Sequence, residues 1–191
     1  MPYSKEHKQQ TRQLILSQAY RLFSSKGFSS VTIDEVMQAC SLTRGAFYAH
    51  FESKSQLYKE ALTFSAFNTA LAERKPEDIP AKAWLSHLLD QYLSVAHVSG
   101  ERPCPLAFLA TDVVSRDSGA KAAYTYTYQN MNKVIWHYAQ NEVSCTEQDI
   151  LGLTSMIVGA VAVARNIEDR RLVERILTSC RQQARLILGG I

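Results

Sequence analysis

The 191-residue chain is 46% hydrophobic and 20% charged, enough apolar material for a sizeable core and too much for a disordered chain. Its net charge of +3 rests on residues 1–60, which hold eight Lys or Arg against five Asp or Glu, so a footprint for phosphate belongs in the first third. Four scattered cysteines without a CxxC pair argue against a zinc module or a disulfide framework and fit a reducing compartment.

With eight Gly, five Pro and no alternating β-branched runs, helix is the default. The opening MPYSKEHKQQTRQ has no apolar stretch, so no signal peptide is expected. Leu14, Ile15, Ala19, Leu22 and Phe23 recur at helical spacing, and Gly27 is a left-handed stop, giving a first helix over about Lys5 to Lys26. Thr32-Ile33-Asp34-Glu35 reads as a capping box that opens a second helix with Ile33, Val36, Met37 and Cys40 on one face. Ser41-Leu42-Thr43 breaks it, Thr43 caps a short third helix over about Arg44 to Phe51, and Ser53-Lys54-Ser55-Gln56 is a second capping box. That box starts a long fourth helix reaching about Arg74, followed by a linker at Lys75–Pro80, where Pro80 suits a first helical turn.

Helices two and three have the proportions of a helix-turn-helix, in which the second helix enters the major groove. Phe47 and Phe51, four apart, face inward onto Val36, Leu22 and Phe23, so Thr43, Arg44, Gly45, Tyr48 and His50 project outward. A glycine costs about 1 kcal/mol in a helix, which makes sense at Gly45 if DNA approaches the backbone closely.

Residues 11–62, through LF.SKGF, the TxDE cap, SLTRGAFYAHF and the SK..L that opens helix four, resemble the DNA-binding domain of the TetR family of bacterial repressors. The resemblance covers about a quarter of the chain. It implies a homodimer that reads a palindromic, double-stranded operator and lets go when a small-molecule effector binds the C-terminal domain. Carried onto this sequence, the family pattern makes Thr43, Arg44, Tyr48 and His50 recognition-helix contacts. Arg44 either donates twice to a guanine edge or touches phosphate, while Tyr48 and His50 position the helix on phosphates. Thr32 and Lys54 sit at helix N-termini, which favour a phosphate oxygen, and Ser30 is a further phosphate candidate. Many members place a small apolar residue and Gly in the turn where this chain has Cys40-Ser41-Leu42. Serine tolerates a tight turn, and Cys40 is expected to be buried.

The fold expected is all-α, about nine helices: a three-helix DNA-binding domain over 1–52 and a ligand-binding and dimerisation domain over 53–191, joined through helix 53–74. A stripe through Trp84, Leu85, Leu88, Leu89, Tyr92, Leu93 and Ala96 makes the fifth helix, ending near Ser99-Gly100. Further helices follow at about 105–115, 118–141, 146–166 and 168–188. The eighth is apolar on every face from Met156 to Ala164 but too short to span a bilayer, so it reads as buried. Helices eight and nine would form a four-helix subunit interface through Met156, Gly159, Val163, Leu172, Ile176, Leu177 and Cys180. Aromatics cluster between 64 and 138, and an apolar pocket would draw on Phe67, Trp84, Tyr92, Phe108 and Tyr128, with Asp112, Asn130 and Arg165 as polar anchors or ordinary intrachain partners.

Cys104, between Pro103 and Pro105, is expected in an exposed loop, as an ordinary thiol or as a redox or electrophile sensor beside Arg102. No Gly-rich phosphate loop, HExxH, GxSxG or metal spacing occurs, so no catalytic residue, metal or cofactor is expected. A helical interaction module without DNA binding is the remaining rival. The location expected is cytoplasmic, with no membrane partner.

Overall fold

In the computed structural model, residues 5–66, 75–99, 104–114, 118–141 and 143–190 are described, and their regular structure is entirely helical. The helices are α1 (Lys5–Ser30), α2 (Ile33–Ala39), α3 (Arg44–Phe47), α4 (Lys54–Ala66), α5 (Ala81–Tyr92), α6 (Val95–Ser99), α7 (Pro105–Val114), α8 (Ser118–Ala139), α9 (Glu147–Ala164) and α10 (Arg170–Ile187). Gly27 interrupts α1 as its position predicts, at φ 73° and ψ 162°, and one further turn to Ser30 follows.

Among the described residues ten helices stand where about nine were expected, because the stripe after Pro80 breaks at Leu93-Ser94. The Ser94 hydroxyl accepts the His97 backbone N–H at 3.1 Å, capping a new short helix. Pro80 is the N-cap of α5 rather than part of its first turn. Two expected caps are also weaker than read. Thr43 makes no side-chain cap bond, and Ser53 accepts from Gln56 N at 3.1 Å while the Gln56 amide reaches Glu52 N instead of closing the box. Thr146 and Asp149 form a full capping box at the start of α9, and Asp169 caps α10. The expected stretch of helix four from residue 67 onward lies outside the described residues.

Two cores result. The first gathers Ile15, Leu16, Ala19, Tyr20 and Phe23 of α1 with Val36, Met37, Phe47 and Phe51, and continues past residue 52 into Leu57, Tyr58, Ala61 and Leu62 of α4. It also takes in Leu109 of α7 and Ala120 of α8, so the N-terminal helices rest directly on the C-terminal ones. The second core is built from α5 to α10. Helix α4 packs against both α1 and α8, and α7 contributes Leu109 to the first core and Leu106 and Ala107 to the second, so both helices link the two.

Candidate nucleic-acid interface

The reading head is set by local chemistry. Thr32 Oγ1 accepts Glu35 N at 3.1 Å and Thr32 N donates to Glu35 Oε2 at 2.9 Å, closing the expected box at the start of α2. The Thr32 backbone N–H, then Lys26 with its Nζ at 2.9 Å, hold the Glu35 carboxyl below its ordinary pKa. At the other end Cys40 is buried and Ser41 turns left-handed at φ 57°. Ser41 N donates to Gln38 O at 2.9 Å and Leu42 N to Met37 O at 2.8 Å, the Schellman pair that usually relies on glycine. The serine accepts the turn at a backbone cost of about 1–2 kcal/mol.

Helix α3 is a single turn, shorter than the expected Arg44 to Phe51. The chain keeps winding through Ala49 N to Ala46 O (3.3 Å), His50 N to Phe47 O (2.9 Å) and Phe51 N to Phe47 O (3.0 Å). Phe47 and Phe51 are 0% and 2% exposed, each worth about 1.5–3 kcal/mol of burial, and they pin this turn to the first core. Arg12 of α1 lies 4.7 Å above the Phe51 ring and pairs with Glu60 of α4, tying the same turn to both flanking helices. On the opposite side Thr43, Arg44, Gly45 and Ala49 are exposed, and Tyr48 is 59% exposed. A Cβ at Gly45 would meet only Thr43 Oγ1, at 3.9 Å, so nothing inside the protein demands glycine there.

His50 departs from expectation. It is half-buried with Nδ1 lacking a partner among the described residues, and burial, then Lys8 and Arg12, lower its pKa. Arg44 donates from Nη1 to Asp34 Oδ2 at 2.7 Å, and its pKa is raised first by the Tyr48 hydroxyl and then by Asp34. Sequence reasoning missed Asp34 and Arg12, whose partners lie on other helices. Ser30 and Thr32 are exposed beside α2, the Thr32 hydroxyl being engaged in capping. Lys54 opens α4 with its Nζ 4.3 Å over the Phe28 ring.

Most of the residues expected to line a ligand pocket, where they are described, are engaged in contacts between the helices. Trp84 and Tyr92 are core residues; the Trp84 Nε1 finds no acceptor among the described residues, and Tyr92 Oη lies 2.9 Å from Cys104 Sγ. Phe108 is covered by the Arg165 guanidinium at 3.6 Å. Tyr128 Oη bonds to Thr154 and Ser155, both at 2.9 Å, and Thr154 donates to Asn132 at 2.9 Å, so Asn132 rather than the half-buried Asn130 joins this network. Phe67 and the Asp112 side chain lie outside the described residues. The cavity among Leu85, Leu88, Leu89, Tyr92, Ile135, Ile157 and Leu188 measures about 10 Å³, against the roughly 300–1,000 Å³ of ligand sites.

Cys104 is 3% exposed, not in an open loop, and burial raises its thiol pKa, so it lacks the thiolate character a sensor needs; Arg102 lies outside the described residues. Its cover comes from Tyr92 at the end of α5, which local sequence does not reveal.

Of the residues expected at a subunit interface, Leu177 is 1% exposed and belongs to the protomer core, because α10 turns that position onto α9. The others stay accessible. On α9, Gly152, Ser155, Gly159 and Val163 form an exposed stripe; a Cβ at either glycine meets nothing within 4 Å, and Met156 beside them is half-buried. On α10, Leu172 and Leu186 are 39% and 68% exposed, with Ile176 and Cys180 half-buried nearby.

Residues 15–61 match the model of the bacterial regulatory proteins, tetR family. Over 65 residues the chain is 46% identical to the HTH-type transcriptional regulator AcrR of Shigella flexneri, which covers 34% of this chain and 30% of that regulator. The Transposon Tn10 TetC protein of Escherichia coli is 26% identical over 157 residues, 78% of each chain. The chain thus spans less than a third of AcrR at high identity and most of TetC at lower identity. In fold it superposes on the reduced form of E. coli NemR with a TM-score of 0.80 over 93% of this chain and 96% of that one, at 16% identity. A regulator from Chloroflexus aurantiacus superposes at 0.71 over 91% and 93%, at 24% identity. The matched segment is the one that folds into the pinned turn and its capped brace, so this part of the chain is similar to the bacterial regulatory proteins of the tetR family.

Proposed function

We propose that the chain is a cytoplasmic, DNA-binding transcription regulator, a homodimeric repressor that holds a palindromic operator and releases it when a small, largely apolar molecule enters the C-terminal domain. The observation that carries this reading is the two-sided turn at α3: two phenylalanines fully buried, with Thr43, Arg44, Gly45 and Tyr48 standing clear on the other side. Arg44 and Thr43 face base edges, Tyr48 and Lys54 the phosphates, and Gly45 leaves room for the duplex. Ser30, Thr32 and His50 are lesser contacts, the last held back by its burial.

Dimerisation supplies the second half-site. The exposed stripe on α9 and Leu172, Ile176, Cys180 and Leu186 on α10 fit a four-helix isologous interface, in which the two glycines admit a close helix. Two α3 turns about 34 Å apart then reach successive major grooves. Because α4 is tied to α1 through Arg12 and Glu60 and also rests on α8, a shift of α8 moves the reading heads. A ligand must favour the shifted state over the DNA-bound one. The test is a mobility shift with duplexes from the chain's own upstream region, repeated with a panel of apolar and amphipathic compounds. A retarded band that a compound abolishes is expected; no retardation at low salt would remove the reading.

A further inference from the structure

Arg44 is the only arginine on the exposed side of α3, and a guanidinium at the end of a flexible stem reads a base only if its plane is fixed. In this protein Asp34, in the first turn of α2, accepts one Nη1 hydrogen bond from it at 2.7 Å, although both side chains are about three-fifths exposed (60% and 59%). The pair joins α2 to α3 across ten residues of sequence. Asp34 makes no cap bond of its own, the box being completed by Glu35, which also takes Lys26. The acidic first turn of α2 is therefore divided between two duties.

We propose that Asp34 is the specificity-determining positioning residue of the interface: it holds the Arg44 guanidinium so that its remaining N–H donors present a bidentate fork to one guanine in each half-site. This rests on the DNA-reading function proposed above. Placed beside a duplex, the carboxylate carries a cost, because it faces phosphate charge. A position that weakens general attraction for DNA is explained if it sharpens recognition at one base pair. The fork uses two parallel donors of a group that has five, so the bond to Asp34 leaves enough.

The distinguishing experiment is selection from a pool of random duplexes by the full-length protein and its Asp34→Asn, Asp34→Glu and Arg44→Ala variants, with affinity for one unrelated duplex measured alongside. The wild type is expected to enrich a palindrome with one guanine per half-site that Arg44→Ala no longer selects. Asp34→Asn should relax that same position by about tenfold and no other, within the range for one bidentate contact. It should also bind the unrelated duplex as tightly as the wild type or more so, which shows that it is folded, while Asp34→Glu keeps part of the guanine preference. If Asp34→Asn binds the palindrome more tightly with the guanine preference intact, Asp34 merely repels DNA or masks Arg44, and the proposal is overturned. The same holds if Arg44→Ala leaves every preference in place; the DNA-reading function then stands without it. If the wild type enriches no sequence, both fall together.

Discussion

Replacing Gly45 with Ala should push folding and DNA binding in opposite directions. The added methyl meets only Thr43 Oγ1, at 3.9 Å, an ordinary contact, and the residue lies in helical backbone rather than at positive φ. Alanine then restricts the unfolded chain and favours the turn, a gain of about 0.5–1 kcal/mol. In a chain of this size that is a rise of about 2–4 °C in Tm per kcal/mol. The same methyl projects from the face proposed to meet the duplex. Loss of close approach there should weaken operator binding by about tenfold or more, comparable to losing one base contact of 1–3 kcal/mol. Differential scanning calorimetry and fluorescence anisotropy on the same preparation read both effects. A stabilised variant with unchanged affinity would show that Gly45 does not approach DNA, and a destabilised one would refute the packing described around α3.

Ser41→Gly should stabilise the protein by about 1 kcal/mol, because it relieves the left-handed serine between α2 and α3 while keeping both Schellman bonds, as thermal melts would register. Charging the outer face of α10 with Leu172→Glu and Leu186→Glu should convert a dimer to folded monomers in analytical ultracentrifugation; a persistent dimer would put the interface elsewhere. Under native alkylation followed by mass spectrometry, Cys40 and Cys104 should stay unmodified while the half-buried Cys145 reacts; rapid labelling of Cys104 would reopen its role as a sensor.

What the sequence made legible was what depends on neighbours a few residues apart. The Thr32–Glu35 box, the i,i+4 pair Phe47 and Phe51, the Gly27 stop and the two-proline linker each depend on local geometry, so each could be placed from residue order alone. The break at Ser94 was hidden because apolar residues continue across it, and only the serine hydroxyl marks the restart. The Asp34–Arg44 and Arg12–Glu60 pairs span different helices, and no periodicity couples them. The aromatics between 64 and 138 illustrate the deeper limit. Whether a tyrosine fills a core, as Tyr92 does against Cys104, or lines a pocket depends on which helices close over it, and that is decided by packing across the whole chain. The same packing covered Cys104, whose flanking prolines had marked only a loop.

The central claim is that the turn from Arg44 to Phe51 lies along a duplex with its cationic neighbours on the phosphates. Its most direct measurement is the affinity for a duplex from the upstream region, followed by anisotropy as salt rises from about 50 to 200 mM, where each phosphate contact contributes a slope of about −0.9 in log K against log salt. A slope of several units is predicted, reduced by about one when Lys54 is replaced with Gln. Affinity that is weak and indifferent to salt, or a Lys54→Gln slope equal to that of the wild type together with intact binding by Arg44→Ala, would contradict it.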